Sequence, residues 1–130
     1  MARIVLIDDH DDVRGALRAT LETAGHDVLE ANDGTQGLWL LAGNAVDLVI
    51  TDIFMPGQDG IEALRRIKQD YPAVKVIVIS GGDATGRLDL REDALLLGAA
   101  RALRKPIRPD TLLAAVEDVL GSPPPPPPEA

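Results

Sequence analysis

Cysteine is absent from this chain, which excludes disulfides and thiolate metal sites. Aromatic residues are scarce: Phe54, Trp39 and Tyr71 are the whole set among 130 residues. Stacking on nucleotides or single-stranded nucleic acid depends on aromatic faces, so that class of function has almost nothing to work with. The core has to be aliphatic. No apolar run approaches the length needed to cross a bilayer, and the short N-terminal run behind one Arg is too little for a signal peptide. Positive charge is also in deficit: 13 basic against 21 acidic residues leave a net charge of −8. General affinity for nucleic acid or an anionic membrane is therefore not expected. A soluble cytoplasmic protein is the expectation.

What is present alternates between two periods. Short apolar runs recur at 4–7, 28–31, 46–50 and 74–79, with a weaker one at 102–103. The first, third and fourth are nearly continuous, as in strands buried on both faces. Between them lie segments with helical spacing. Val13, Leu17 and Leu21 share a face, and Gly25 stops that helix; Leu38, Leu41 and Ala42 mark a second, ended near Gly43-Asn44. Ile61, Leu64 and Ile67 mark a third that ends before Tyr71-Pro72. A fourth covers 88–97 and stops at Gly98, and the last runs from Pro109 to Gly121. Five strand–helix alternations predict an α/β fold, a doubly wound five-stranded parallel sheet with helices on both faces, of the flavodoxin-like kind. One domain is expected over 1–121, followed by a proline-rich disordered tail or linker at 122–130 containing six consecutive prolines.

Carboxylates follow two of the strands: Asp8 and Asp9 after RIVLI, and Asp52 after DLVIT. Neighbouring parallel strands deliver their ends to one crevice, where such sheets bind ligands. Carboxylates gathered there repel by roughly 4 kcal/mol per pair at ~4 Å and an effective dielectric near 20. A hard divalent cation with open positions for phosphate relieves that cost; the alternative is three solvated turn residues. Ser80-Gly81-Gly82 follows the fourth strand and Lys105-Pro106 the fifth, bringing a hydroxyl and an ammonium to the same edge. Phosphoryl transfer needs such a set, with an oxygen nucleophile, a bridging cation and donors for the remaining oxygens. Asp52 is the candidate nucleophile. His10 and His26 read as surface loop and turn residues, and Trp39 as helix packing.

The stretches IDDHDDVR, TDIFMPGQDG, VISGG, LGA and RKP, in this order, resemble the receiver domain of two-component response regulators over residues 2–120. The resemblance implies that Asp52 accepts a phosphoryl group from a sensor histidine kinase or a histidine phosphotransfer protein, with Mg2+ assisting. It implies that Asp9 ligates Mg2+ directly, that Asp8 acts mainly through water, and that Asp52 and the Phe54 backbone carbonyl complete the metal ligands. Ser80 matches the hydroxyl that closes on the phosphoryl group and Lys105 the lysine that pairs with it. Lys105-Pro106 matches a peptide bond often cis in the family. The chain would then be a switch that catalyses its own phosphorylation and dephosphorylation and no reaction on outside substrates. Signals would leave through contacts with a downstream protein, or the chain would serve as a phosphate sink. The alternatives are the front end of a longer DNA-binding regulator and a receiver-like module that acts without phosphorylation. A metal-dependent phosphatase is disfavoured, because Phe54 stands where its second Asp belongs.

Ala102 departs from the family, which usually has Tyr or Phe three residues before the lysine. Without a ring to move, the expected two-state element is the loop 81–86 together with the fourth helix. Phe54 and Gly82 occupy rim positions that influence phosphoryl lifetime. Mixed charge between Arg87 and Asp118 suits a homodimer or partner face made of the fourth helix, fifth strand and fifth helix, or a solvated face.

Overall fold

A computed structural model describes residues 2–55, 58–81 and 91–121, the side chains of 54, 55, 58 and 59 excepted. In chain order the elements are β1 (Arg3–Ile7), α1 (Asp11–Thr23), β2 (Asp27–Ala31), α2 (Gly34–Gly43), β3 (Leu48–Asp52), β4 (Phe54–Met55), β5 (Gln58–Asp59), α3 (Gly60–Asp70), β6 (Lys75–Ser80), α4 (Arg91–Leu96), β7 (Arg101–Arg104) and α5 (Pro109–Leu120). Five strands form one sheet in the order β2-β1-β3-β6-β7, and every pairing within it is parallel. This is the doubly wound, flavodoxin-like sheet the apolar pattern predicts. The weak run RALR is an edge strand, where its two arginines cost little and discourage further pairing.

Side chains of the sheet alternate between two cores. Ile4, Leu6, Leu48, Ile50, Ile77 and Ile79 pack with Leu17 and Leu21 of α1 and Leu112 and Val116 of α5. Val5, Ile7, Val49, Val76 and Val78 pack with Leu41 of α2, Leu64 and Ile67 of α3 and Ala94 of α4. Burial of each such Leu, Ile or Val contributes roughly 1.5–3 kcal/mol, and because both faces of the central strands are covered, apolar residues occur at nearly every position.

Helix ends follow from local chemistry. Gly25 and Gly98 have φ of 93° and 110°, in the region open to glycine. Each closes a helix by paired bonds: Gly25 N to Glu22 O with His26 N to Leu21 O, and Gly98 N to Leu95 O with Ala99 N to Ala94 O. Asp33 caps α2 by accepting from Gln36 N at 2.8 Å, and Pro109 opens α5.

One feature differs from the sequence expectation, and others lie outside the described residues. A two-residue antiparallel ladder, β4 with β5, sits between β3 and α3; pairs this short leave no periodic signal. α4 is described from Arg91, so the expected start at 88, like most of the 81–86 loop, the Gly82 rim position and the proline tail, lies outside the described residues.

Candidate functional site

β1 and β3 are adjacent and in register, so the residues that follow them reach the same edge of the sheet. Asp8 N donates to Ala31 O at 3.1 Å, which pins the start of the acidic loop to β2. Asp8 is 0 % exposed and Asp52 2 %. β6 lies beside β3 and ends in the buried Ser80. Lys105 N donates to Ser80 O at 3.0 Å, carrying the β6–β7 register one residue past the strand. The Lys105–Pro106 peptide is cis.

From that position Lys105 Nζ donates to Asp52 Oδ2 at 2.7 Å and stands 3.2 Å from Asp8 Oδ2. Burial pulls the pKa of this ammonium down, but the hydrogen bond and the field of Asp52, then the field of Asp8, outweigh it. The net displacement is upward from the ordinary lysine value. Asp9 is partly exposed, and Phe54 begins β4 two residues beyond Asp52. Gly60 packs so closely on this loop that a Cβ there would lie 2.2 Å from Ile53 O. The loop after Asp52 therefore requires glycine at its far end.

Lys105 faces two of the three carboxylates, Asp52 and Asp8, and the exposed His10 ring lies beside Asp8 and Asp9. Asp8 Oδ2 and Asp9 Oδ1 are buried and accept no hydrogen bond; the approach of Lys105 to the first is an ion pair without hydrogen-bond geometry. Asp8, Asp9, His10 and Asp52 each offer a ligand atom, all within 4.8 Å of one another. Buried acceptors left in excess of donors fit a hard divalent cation. The donor set is dominated by carboxylate oxygen, which suits Mg2+.

A family profile for the response regulator receiver domain matches residues 4–117. The chain belongs to that family. Among its relatives the receiver is 36% identical over 123 residues to Protein PilH of Pseudomonas aeruginosa, covering 92% of this chain and 98% of PilH. It is 34% identical over 117 residues to the transcriptional regulatory protein FixJ of Bradyrhizobium diazoefficiens, covering 90% of this chain. It spans between 23% and 56% of the length of the longer curated relatives it matches first. A receiver domain from Clostridium thermocellum superposes with a TM-score of 0.83 at 35% identity, covering 92% of this chain and 94% of that one.

The receiver's sheet edge thus brings Asp8, Asp9, Asp52 and Lys105 together, with Ser80 beside them. His10 is exposed as expected for a loop, yet its ring lies 3.3 Å from Asp8 Oδ1 and 3.2 Å from Asp9 Oδ1. His26 is more than a turn residue, since its Nδ1 accepts from Ala2 N at 3.2 Å. Trp39 is 74% exposed, so its expected packing role does not hold.

Sequence reasoning missed a clamp behind the acidic loop. Arg14 and Arg18 of α1 both bind Glu30 of β2, at 3.1 and 2.5 Å. The one available signal is the charge interrupting the strand VLEA. The hydrogen bond from Arg18 in the first place, against the opposing effect of burial, holds Glu30 below its ordinary pKa. Because the folded value is lowered, the stabilisation is present above the ordinary glutamate value of ~4.3 and is lost as pH falls through the folded value. Glu30→Gln is expected to melt below wild type at pH 7, with the difference closing under acid; melts that differ equally at both pH values would show that the charge is not responsible.

Proposed function

We propose that this receiver accepts a phosphoryl group on Asp52 from a phosphohistidine of a sensor histidine kinase or a histidine phosphotransfer protein. A carboxylate oxygen of Asp52 bonds to phosphorus as the P–N bond breaks, and the leaving imidazole keeps the electron pair. The observation that carries the reading is Lys105 Nζ at 2.7 Å from Asp52 Oδ2 beside the buried Asp8. That ammonium is held where charge on the transferred group develops, and positioning with electrostatic stabilisation supplies most of the catalysis in phosphoryl transfer.

Asp9, Asp52 and the Phe54 carbonyl would ligate Mg2+, with Asp8 acting mainly through water. When bound, the ion neutralises the acids and the incoming phosphoryl oxygens. Ser80 donates to a phosphoryl oxygen. The donor protein docks over an apolar cleft of about 420 Å³ beside Lys105, lined by Val13, Ala16 and Leu17 of α1 and by Pro106 and Ile107. The receiver hydrolyses its own acyl phosphate and acts on no outside substrate. It works in the cytoplasm, signalling through protein contacts or draining phosphate from a shared kinase, with no direct contact to nucleic acid or membrane. A face of α4, β7 and α5, where Leu95 and Leu96 are exposed and Arg101 pairs with Asp118, supports a homodimer. A cleft beside Ala102, lined by Arg91, Glu92 and Leu95, occupies the position where an aromatic ring is usual in the family.

A second reading makes this the front end of a longer transcriptional regulator, favoured by the 56% share of FixJ that the chain spans. The length of the intact open reading frame separates the two.

The test is titration with Mg2+ and then beryllofluoride, a phosphoryl mimic, followed by backbone amide shifts in wild type and Asp52→Ala. Saturable Mg2+ binding and beryllofluoride shifts that vanish in Asp52→Ala are the expected result. Absence of binding by either ligand in the wild type would leave a receiver-like module that acts without phosphorylation.

A further inference from the structure

The loop carrying the acid pair is tied down on two sides. On one, Asp8 N donates to Ala31 O. On the other, Arg14 reaches back from the first turns of α1. Its Nη1 donates to Asp8 O at 2.7 Å, its Nη2 to Asp11 at 2.7 Å and its Nε to Glu30 at 3.1 Å. The side chain is 15% exposed. We propose that Arg14 is a positioning residue for the divalent-ion site, setting the plane of the Asp8–Asp9 peptide and so aiming the Asp9 carboxylate. This rests on the metal reading given under Proposed function.

A peptide unit is planar, so the direction of the Asp8 carbonyl determines where the chain leaves toward the Asp9 Cα. With Asp8 N fixed to β2 and Asp8 O fixed to Arg14, the backbone at Asp8 is held at both ends. That restraint matters because Asp9 Oδ1 accepts no hydrogen bond and is approached by the exposed His10 ring at 3.2 Å, a weak hold on its carboxylate. Charge-assisted bonds to guanidinium are short and directional, and one fork serving three acceptors is something an ammonium cannot reproduce. The charge itself is largely matched by Asp11 and Glu30. Arg14 therefore acts on the ion through geometry more than through its field.

The experiment compares wild type, Arg14→Met, Arg14→Lys and Glu30→Gln by calorimetric Mg2+ titration, with amide spectra of the metal-free proteins. Groups that orient metal ligands typically cost 10–100-fold in affinity when removed, so Arg14→Met is expected to bind Mg2+ at least about tenfold more weakly. Arg14→Lys keeps the charge and is not expected to restore binding, and the Asp9 amide should shift in both variants before metal is added. Glu30→Gln retains an oxygen for the fork and should keep wild-type affinity even where it melts lower. Wild-type Mg2+ affinity in the Arg14 variants, with an unmoved Asp9 amide, would overturn the proposal and leave Arg14 a structural tie. If Arg14→Met does not fold, Arg14→Lys carries the same comparison. No Mg2+ binding by the wild type overturns the metal reading itself, a result visible before any variant is consulted.

Discussion

Asp52→Asn is expected to take up no phosphoryl group from acetyl phosphate and Mg2+ under conditions that label the wild-type receiver. The substitution keeps shape and removes the anionic oxygen, and a neutral carboxamide is not a nucleophile toward phosphorus. The fold should survive. Asp52 ends β3, where the apolar run Leu48–Ile50 is buried independently of the final residue. Lys105 retains Asp8 at 3.2 Å as a counter-ion. Loss of label with an intact melt isolates chemistry from stability. Label persisting in Asp52→Asn would place the acceptor elsewhere, with Asp8 and Asp9 the nearest carboxylates.

Lys105→Met should have the largest effect on stability in Mg2+-free buffer. Removing one partner of a buried ion pair strands the other, typically at 3–5 kcal/mol, and here two buried carboxylates lose the same cation, so a loss of about 3 kcal/mol is expected. That is a substantial share of the roughly 5–15 kcal/mol that holds an ordinary domain together. Mg2+ supplies the missing positive charge, so saturating Mg2+ should raise the melting temperature of the variant by more than that of wild type. The raised pKa of Lys105 sets the alkaline side. A group bound more tightly in its protonated form stabilises fully below its unfolded value of ~10.4 and loses that contribution as pH rises through the folded value. Wild type and variant should therefore converge in strong alkali. Removing a donor aimed at developing charge costs on the order of 100-fold or more in rate, and phosphoryl uptake should slow accordingly. Equal melting of the two proteins at pH 7 without Mg2+ would show that the ammonium does not balance the acids.

Much of this arrangement is legible because strands buried on both faces are read directly as apolar runs, and the residue after each run must emerge at the sheet edge. That rule brings Asp8, Asp52, Ser80 and Lys105 to one edge within two residues of their runs, and the left-handed conformation of Gly25 and Gly98 marks two helix ends. RALR was weak by propensity, yet its pairing with β6 decides its state, since strand preference depends on neighbours more than on the residue. The Arg14–Glu30 clamp joins residues 16 apart on different elements. No periodicity marks such a contact, and it emerges only when α1 lies against β2. Trp39 is exposed for a related reason: α2 buries Gly34, Gly37 and Leu41, so its inward face is narrow and partly glycine. A Cβ on Gly37 would lie 2.3 Å from Ile7 Cδ1, which shows how closely that helix approaches β1.

The alternation of the sheet assigns the candidate site residues to sides. Asp8 continues the parity of Ile4 and Leu6, Asp52 that of Leu48 and Ile50, and Lys105 that of Leu103, all residues of the core shared with α1 and α5. Ser80 continues the parity of Val76 and Val78, which belong to the core under α2, α3 and α4. The sheet therefore brings these carboxylates and the lysine to its edge from one face and the hydroxyl from the other. On the proposed function, a donor over α1 would approach the acids and the lysine from their own side of the sheet, and the hydroxyl would close on the phosphoryl group from the other.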